Sequence, residues 1–303
     1  MSTMKNRYEA VPGEVLHGKW TGHKWRVDRE IGRGANGVVY LVTGAIGQAA
    51  LKFAGSSEVA SETNTLKSLE RVRGASPGPF FIEADDVEKD GVIYPFYIME
   101  YIDGMMLHTF MRSKKEEWSF IILIRLLDFL APLHQSGKIM GDLKPENFIV
   151  SGSAHTIRAV DMGGITKQGR SVKEYTSLYD RAAWHSGSRE AEPAYDLFAA
   201  SVLTIALVHK KEVQAAAGQL DRLISIIESS PVLRMAAPIL KNALHGQYDS
   251  AMMMKKELLI CLSGREPLRR STKKKKKSRK WPVLFIILTV IIFLFFVTLK
   301  EMM

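Results

Sequence analysis

The spacing of hydrophobic residues divides the chain into a strand-rich part and a helical part. Strand patterns, with β-branched and aromatic residues between glycines, occupy residues 24–53 and 92–102. Apolar residues at helical spacing occupy residues 57–70, and helical patterns dominate from about Met105 onward, interrupted near 138–162. A strand-rich first third followed by a helical remainder predicts an α+β fold with two lobes.

Two longer apolar runs lead to different predictions. Residues 283–299 form 17 positions without a charge, interrupted only by Thr289 and Thr298. This length is at the short end of a bilayer span, and the run predicts one C-terminal transmembrane helix. Residues 120–133 contain Arg125 and Asp128, so this run predicts a buried helix of the globular part.

The positive charge of the chain is concentrated just before the predicted span. The formal net charge is +10, and residues 265–280 hold ten lysines and arginines against one acid, Glu266. Because Lys and Arg are enriched on the cytoplasmic side of membrane spans, residues 1–282 are predicted to lie in the cytoplasm and residues 300–303 outside the cell membrane. The single cysteine, Cys261, excludes a disulfide within the chain and fits a reducing compartment.

These patterns together predict the organisation of the chain. It consists of an N-terminal extension (1–24), a globular domain (25–262) with an N-lobe (about 25–102) and a C-lobe (about 103–262), a basic juxtamembrane linker (263–282), the transmembrane helix (283–299) and an external tail (300–303).

A glycine-rich turn near the start of the globular domain has the spacing of a phosphate-binding loop. Gly32, Gly34 and Gly37 stand in the order Gly-x-Gly-x-x-Gly. A dinucleotide-binding fold would continue into a helix whose N-terminus meets the pyrophosphate, whereas residues 38–42 are β-branched and strand-like. The glycines are therefore predicted to cap a hairpin that lies over a phosphate chain, with Val39 above a flat base.

Lys52 lies inside an apolar strand pattern, where an unpaired ammonium group is costly. One interpretation is a lysine on an edge strand that faces solvent. The other gives Lys52 two partners, which are phosphate oxygens and a carboxylate on the helix predicted at residues 57–70. Glu62 is the expected carboxylate, and Glu58, one turn earlier, is the alternative.

Residues 142–147 read Asp-Leu-Lys-Pro-Glu-Asn and follow a long apolar helix pattern. This string resembles the catalytic loop of the protein kinase superfamily, and a lysine two residues after the aspartate is typical of serine/threonine kinases. The resemblance implies that Asp142 accepts the proton of the attacking hydroxyl, that Lys144 neutralises charge on the transferred phosphoryl group, and that Asn147 holds a magnesium ion.

Further matches to this family follow in the same order along the chain. Asp161, in Asp-Met-Gly, matches the magnesium-binding Asp-Phe-Gly position, and Asp196 resembles the aspartate of the central C-lobe helix that braces the catalytic loop. The resemblance implies a bilobal protein kinase fold that binds ATP and Mg²⁺, with Glu100 and Ile102 in the hinge beside adenine. The nucleotide-binding residues that it implies are Ile31, Gly32, Gly34, Gly37, Val39, Ala50, Lys52, Glu62, Glu100, Ile102 and Ile149.

Three departures from the family pattern surround these residues. The usual His-Arg-Asp reads Met-Gly-Asp at residues 140–142, so the arginine that grips a phosphate on the activation segment is replaced by glycine. Met140 and Met162 stand for a histidine and a phenylalanine, which we interpret as repacking of one cavity by flexible apolar side chains. Trp184 stands for the glutamate of Ala-Pro-Glu and Gln247 for its arginine partner, so that ion pair is expected to be lost at both ends.

The expected function is an active serine/threonine kinase on the cytoplasmic face of a membrane. The chain resembles the short tail-anchored, eukaryotic-like (Hanks-type) kinases of spore-forming bacilli. A membrane-tethered pseudokinase scaffold is an alternative, which the complete set of candidate catalytic residues disfavours. A nucleic-acid-binding module is a third interpretation, based on the basic segment.

The expected partners are protein substrates and a polyanion. Serine and threonine side chains of proteins would accept the phosphoryl group, and self-association would permit autophosphorylation. Anionic membrane lipid is a candidate ligand of the five lysines from Lys273 to Lys277, since tethering would hold them within a Debye length of the headgroups. DNA is the rival ligand, because a lysine run binds phosphates of any sequence.

Overall fold

The computed structural model of the protein describes residues 8–34, 37–69 and 78–264. The chain divides into one unit of residues 1–266 and a second of residues 267–303, and all described residues belong to the first. Apart from Ser263 and Gly264, the predicted basic linker lies outside the described residues, as do the predicted transmembrane helix and external tail.

The N-lobe is built on a six-stranded antiparallel sheet with the strand order β1-β2-β3-β4-β6-β5. Its strands are β1 (Val15–His17), β2 (Lys24–Gly34), β3 (Gly37–Gly44), β4 (Gly47–Phe53), β5 (Phe81–Lys89) and β6 (Val92–Glu100). Helix α1 (Ser56–Leu69) follows β4 and packs against β5 and β6 through its buried stripe of Val59, Thr63, Leu66 and Leu69.

The described part of the predicted N-terminal extension packs on this lobe. Tyr8 is buried, and its ring stacks on that of Phe53 with 4.5 Å between the centroids. Strand β1 pairs with the start of β2. Residues 8–24 therefore contribute side chains to the N-lobe core and a strand to its sheet.

The loop between β1 and β2 joins the two edges of the sheet. The backbone N–H of Lys19 donates to the carbonyl oxygen of Asp86 on β5 over 2.8 Å. The buried carboxylate of Asp85 accepts from the backbone N–H groups of Trp20 and Thr21 at 2.9 Å each, and from the Thr21 hydroxyl at 2.6 Å. The sheet is therefore rolled, and this loop closes it against β5.

The C-lobe is helical, with three small strand pairings near the lobe boundary. Its helices are α2 (Leu107–Met111), α3 (Trp118–Gln135), α4 (Pro193–Val208), α5 (Lys210–Ala215), α6 (Leu220–Ser229), α7 (Ala237–Leu244) and α8 (Ala251–Leu262). Its strands are β7 (Met105–Met106), β8 (Lys138–Ile139), β9 (Phe148–Ser151), β10 (Thr156–Ala159) and β11 (Thr166–Lys167), which form the sheets β10-β9-β7 and β11-β8. Helices α3 and α4 form the centre, and α4 is buried on nearly all sides.

Helix α3 contains the apolar run at 120–133 and is a core helix, as predicted. It is long and apolar enough to cross a membrane by composition alone, but most of it is buried inside the lobe. Among the described residues, no other single helix meets both criteria. The prediction of a transmembrane helix at 283–299 concerns a segment outside this part of the chain.

The two-lobed α+β architecture expected from the sequence is confirmed. The sequence patterns missed β1 and β5, for related reasons. Strand β1 has only three residues, and β5 carries the acids Glu83, Asp85, Asp86 and Glu88, which weaken a strand pattern. These acids accept hydrogen bonds from the 18–25 segment that covers β5, so the tertiary contact overrides the local preference.

Asp85 should contribute strongly to N-lobe stability. We expect Asp85→Ala to lower the free energy of unfolding by about 2 kcal/mol, because three partly buried N–H and O–H donors lose a charged acceptor. Asp86→Ala is a matched control that removes one exposed bond to the Trp20 indole. Chemical denaturation of both variants measures the difference, and equal losses would contradict the role given to Asp85.

The stability contributed by Asp85 should also depend on pH. Burial raises the pKa of this carboxyl, but the hydrogen bonds from Thr21, Trp20 and the Asp86 backbone outweigh burial and leave the pKa below its usual value. A carboxyl with a lowered folded-state pKa stabilises the protein above the unfolded-state pKa of about 3.9. The difference between wild type and Asp85→Ala should therefore shrink as the pH falls below about 4.

Candidate active site

The glycine-rich turn is the tip of a hairpin between β2 and β3. Gly32 pairs with Val39 and Gly34 pairs with Gly37, so a strand, not a helix, follows the glycines. Gly37 has a φ of +153°, and a Cβ there would lie 2.1 Å from the carbonyl oxygen of Phe53. This close approach requires glycine and holds the hairpin against the end of β4.

Lys52 points from the central strand β4 to α1 and is paired. Its Nζ lies 2.8 Å from Oε1 and 2.6 Å from Oε2 of Glu62, and both side chains are nearly buried. Glu58, the alternative partner, is exposed and contacts the Ser57 hydroxyl. Val39 is the β-ladder neighbour of Lys52, so the ammonium group lies beside the glycine-rich hairpin.

Tyr97 also contacts the pair of Lys52 and Glu62, and the sequence did not predict this contact. It lies opposite Lys52 on β6, and its hydroxyl donates to Oε2 of Glu62 over 2.5 Å. Burial, and then the negative charge of Glu62, raises the pKa of Tyr97 well above its usual range, so the hydroxyl stays a donor. The tyrosine between the apolar residues Phe96 and Ile98 could have indicated this contact, because the hydroxyl of a buried tyrosine needs a hydrogen-bond partner.

The loop at 142–147 folds around the carboxylate of Asp142. Asp142 Oδ1 accepts from the hydroxyl of Thr176 at 2.8 Å, and Oδ2 accepts from Lys144 Nζ at 2.5 Å. The amide nitrogen of Asn147 donates to the carbonyl oxygen of Asp142 over 2.8 Å, which turns the 3-10 segment Pro145–Asn147 back onto the loop. The structure therefore brings Asp142, Lys144 and Asn147 together at one point.

Asp196, near the start of α4, holds this loop from beneath. Its completely buried carboxylate accepts from the backbone N–H of Met140 at 2.8 Å and of Gly141 at 3.0 Å, and it contacts Nε2 of His134 at 2.8 Å. Gly141 has a φ of +79°, and a Cβ there would lie 2.9 Å from the carbonyl oxygen of Gly164. The loop between α3 and Asp142 is thus fixed by one buried charge.

The two methionines that replace family residues share one core. Met140 and Met162 are both buried and belong to the large hydrophobic cluster that extends through both lobes. A Cβ at Gly78 would lie 3.0 Å from the Met162 sulfur, so Met162 packs directly against Gly78. This packing agrees with the interpretation that flexible apolar side chains refill the site.

Asp161 is exposed and faces a second carboxylate. The backbone N–H of Gly163 donates to Oδ1 of Asp161 over 3.0 Å. Glu174, on the activation segment, lies near the same side of Gly163, and one oxygen of each carboxylate is 3.3 Å from the point where a Gly163 Cβ would be. Burial, and then the charges of Asp161 and Asp142, raises the pKa of Glu174. Sequence reasoning missed Glu174.

The predicted hinge is tied to the C-lobe by an ion pair. Arg158 on β10 donates to both carboxylate oxygens of Glu100 at 2.6 and 2.7 Å and to the carbonyl oxygen of Gly78 at 2.6 Å. The side chain of Glu100 therefore points to Arg158, while Ile102 is buried at the lobe boundary. This bidentate contact joins the hinge to the strand that leads to Asp161.

The other residues assigned to the nucleotide lie on both lobes. Ala50 on β4 is buried, and the half-buried Ile31 and Val39 pack against the same hydrophobic cluster. Ile149 on β9 is half-buried and pairs with Met106 of β7. These side chains provide the apolar surface expected around a flat base.

The end of the activation segment is held by a local ion pair in place of the glutamate–arginine pair of the family. Trp184 is buried with its indole N–H on the carbonyl oxygen of Leu178, and Gln247 is exposed. The completely buried Asp180 instead accepts from Arg189 at 2.9 Å and from the hydroxyl of Tyr195 on α4 at 3.0 Å. The expectation of a lost pair was thus incomplete, because the partner lies nine residues downstream and not near the domain end.

Comparison with known proteins agrees with this geometry. Residues 25–282 match the protein kinase domain. The chain is 43% identical over 251 residues to serine/threonine-protein kinase YabT of Bacillus subtilis (strain 168), covering 82% of this chain and 74% of that protein. It is 27% identical over 183 residues to Rho-associated protein kinase let-502 of Caenorhabditis briggsae, covering 54% of this chain and 14% of that protein.

A solved structure shares the fold at low identity. Vaccinia related kinase 3 matches with a TM-score of 0.60 and 14% identity, covering 84% of this chain and 92% of that chain. At this identity the likeness concerns the fold alone. With the match over residues 25–282 and the 43% identity to a bacterial serine/threonine kinase, the chain belongs to the protein kinase family and is a serine/threonine protein kinase of the bacterial Hanks type.

Proposed function

We propose that this kinase transfers the γ-phosphoryl group of ATP to serine and threonine hydroxyls of proteins through the residues gathered around Asp142. The carboxylate of Asp142, flanked by Thr176 and Lys144, carries this proposal. The substrate hydroxyl oxygen bonds to the γ-phosphorus as the bond to the β-phosphate oxygen breaks. Its proton passes to Asp142, and ADP leaves.

The other residues position the phosphates and limit charge. Lys52, aligned by Glu62, would contact phosphate oxygens beneath the glycine-rich hairpin, and Lys144 would offset negative charge on the transferred group. The ready-made pair of Lys52 and Glu62 favours an active enzyme over a pseudokinase scaffold. Each of the two side chains is nearly buried, and without a nucleotide-binding role the pair would be a costly feature.

The donors around Asp161 suit Mg²⁺. Asp161 and Asn147 would hold the ion, which neutralises phosphate charge when bound. Asp161 is exposed, and carboxylate and amide oxygens are the ligands of a hard cation. In the described part of the chain, no three His, Cys, Asp or Glu side chains are close enough to hold a metal by themselves. This fits an ion that takes its remaining ligands from phosphate oxygens and water.

The proposed base is tested by Asp142→Asn in the full chain. We expect phosphate transfer from labelled ATP to a generic protein acceptor to fall by about a thousandfold or more, since base and charge are both lost. ATP binding, measured by calorimetry, should remain. Lys52→Ala should reduce both transfer and ATP affinity.

Asp128→Asn is the matched control, because it changes the same group in a half-exposed pair with Lys255 outside the candidate site. Transfer near the wild-type rate by folded Asp142→Asn would show that the base lies elsewhere. An inactive wild type that still binds ATP would favour the pseudokinase scaffold.

We also propose that the enzyme is a single-pass protein of the cell membrane, with its kinase domain in the cytoplasm and its C-terminus outside. The uncharged run at 283–299 and the basic segment before it support this arrangement. The same segment would bind a polyanion, which is anionic lipid or DNA, and so bring kinase molecules together for autophosphorylation. Lipid is favoured by the proximity that tethering imposes, with roughly 1 kcal/mol from each lysine near the surface.

This proposal predicts a gain of activity on a polyanion. Soluble protein that ends near Lys280 should bind DNA with a steep salt dependence, and DNA or anionic vesicles should raise its autophosphorylation rate. Replacing the lysines from Lys273 to Lys277 with glutamine should remove both effects and leave basal ATP turnover intact. If neither polyanion changes the rate at low salt, the segment is a topology signal and the activating input lies elsewhere.

A further inference from the structure

A cavity of about 370 Å³ lies between the C-terminal half of α1 and the start of the activation segment. None of its lining residues belongs to the catalytic or nucleotide-binding set proposed above. They belong to α1, to the turn after α3, to β8, and to β11 with the residue before it. The lining residues are Asn64, Thr65, Ser68, Ser136, Gly137, Lys138, Ile165 and Lys167.

Two lysines face each other at this cavity. Lys138 and Lys167 are directly opposite in the β8–β11 ladder. Like charges at opposite positions of a β-ladder repel each other. Within the described residues, neither ammonium group has an ion pair or a hydrogen bond, and the cavity lining contains no carboxylate. The cavity wall therefore carries two positive charges with no counter-charge among the residues that the structure describes.

The remaining polar groups of the lining are neutral donors. The carboxamide of Asn64 is exposed and makes no hydrogen bond with the described residues. The hydroxyls of Thr65, Ser68 and Ser136 donate to carbonyl oxygens of their own helices at 2.7–3.0 Å and can rotate toward a ligand. Lysines combined with amide and hydroxyl donors are the chemistry that binds phosphate oxygens.

We propose that this cavity is an anion site that takes a phosphoryl group and thereby holds α1 against the activation segment. Helix α1 carries Glu62, whose contact with Lys52 depends on the position of the helix. Strand β11 lies five residues after Asp161 in the chain. A bound phosphoryl group would join these two elements. In this chain Gly141 replaces the family's arginine that holds a phosphate on the activation segment, so the two elements lack that contact.

The consequence for activity rests on the proposed function, whereas the binding itself does not. The phosphoryl group could be free phosphate or belong to a phosphorylated residue of the kinase. Both sources present the same oxygens to Lys138 and Lys167, so the experiment needs one arm for each.

The test uses the full chain with Asp142→Asn, treated with phosphatase and free of ATP. Inorganic phosphate replaces chloride at constant ionic strength, and hydrogen exchange is followed in α1, β8 and β11. We expect phosphate to protect these segments and the apparent Kd to rise about tenfold in Lys138→Gln/Lys167→Gln, the loss expected for charge-assisted hydrogen bonds. Lys210→Gln/Lys211→Gln, an exposed pair on α5, makes the same charge change and should leave the Kd unaltered.

The second arm compares autophosphorylated wild type with phosphatase-treated wild type in buffer without phosphate. Protection that is present before phosphatase treatment and lost after it, but only with both lysines intact, identifies a phosphorylated residue as the source. Protection that appears only on adding phosphate identifies the free anion. The proposal is overturned if neither arm shows protection of α1, β8 and β11, or if the double lysine variant is protected as well as the wild type.

Discussion

The geometry of the active site depends on one buried charge, the carboxylate of Asp196. It is completely inaccessible to solvent and is surrounded by donors, namely two backbone N–H groups of the catalytic loop and the ring of His134. A buried carboxylate is costly unless its oxygens are satisfied, so the loop is held where its N–H groups can reach them. Because α4 is a central, almost fully buried helix of the C-lobe, Asp196 fixes the loop that carries Asp142 to the core of that lobe.

Other buried or half-buried ion pairs and hydrogen bonds hold the remaining parts of the site in place. Glu62 aligns Lys52 from α1, Arg158 joins the hinge to β10, and Asp180 anchors the end of the activation segment to Tyr195 on α4. Each of these contacts joins two elements, so removal of one partner would leave an unpaired charge in a poorly solvated position. Each part of the site is therefore held in place by its own polar contact, and all parts are attached to the same hydrophobic core.

The sequence predicted the motif residues well because each is a short string with a fixed neighbourhood. The strand after the glycines, the lysine in an apolar strand and the Asp–Asn loop all lie where their patterns indicated. Most of the contacts that the sequence did not predict join distant segments, and the pair of Asp180 with Arg189 spans nine residues. Tyr97, Arg158, Glu174 and the pair of Asp180 with Arg189 have no periodic signal, and their partners become neighbours only in the folded chain. The sequence also did not predict the rolled N-lobe sheet. The sheet closes through acids of β5, and these acids weaken the strand pattern by which β5 could have been predicted.

The account is tested most directly by single-turnover phosphate transfer in Asp196→Asn, with ATP affinity measured on the same protein. If the buried charge fixes the catalytic loop, the transfer rate should fall by about a hundredfold, roughly 2.7 kcal/mol in the barrier, while the Kd for ATP changes little. The N-lobe strands that carry the proposed nucleotide-binding residues do not pack on α4, which is why the two quantities should separate. A folded Asp196→Asn protein that transfers phosphate at the wild-type rate would contradict the claim that this carboxylate positions Asp142.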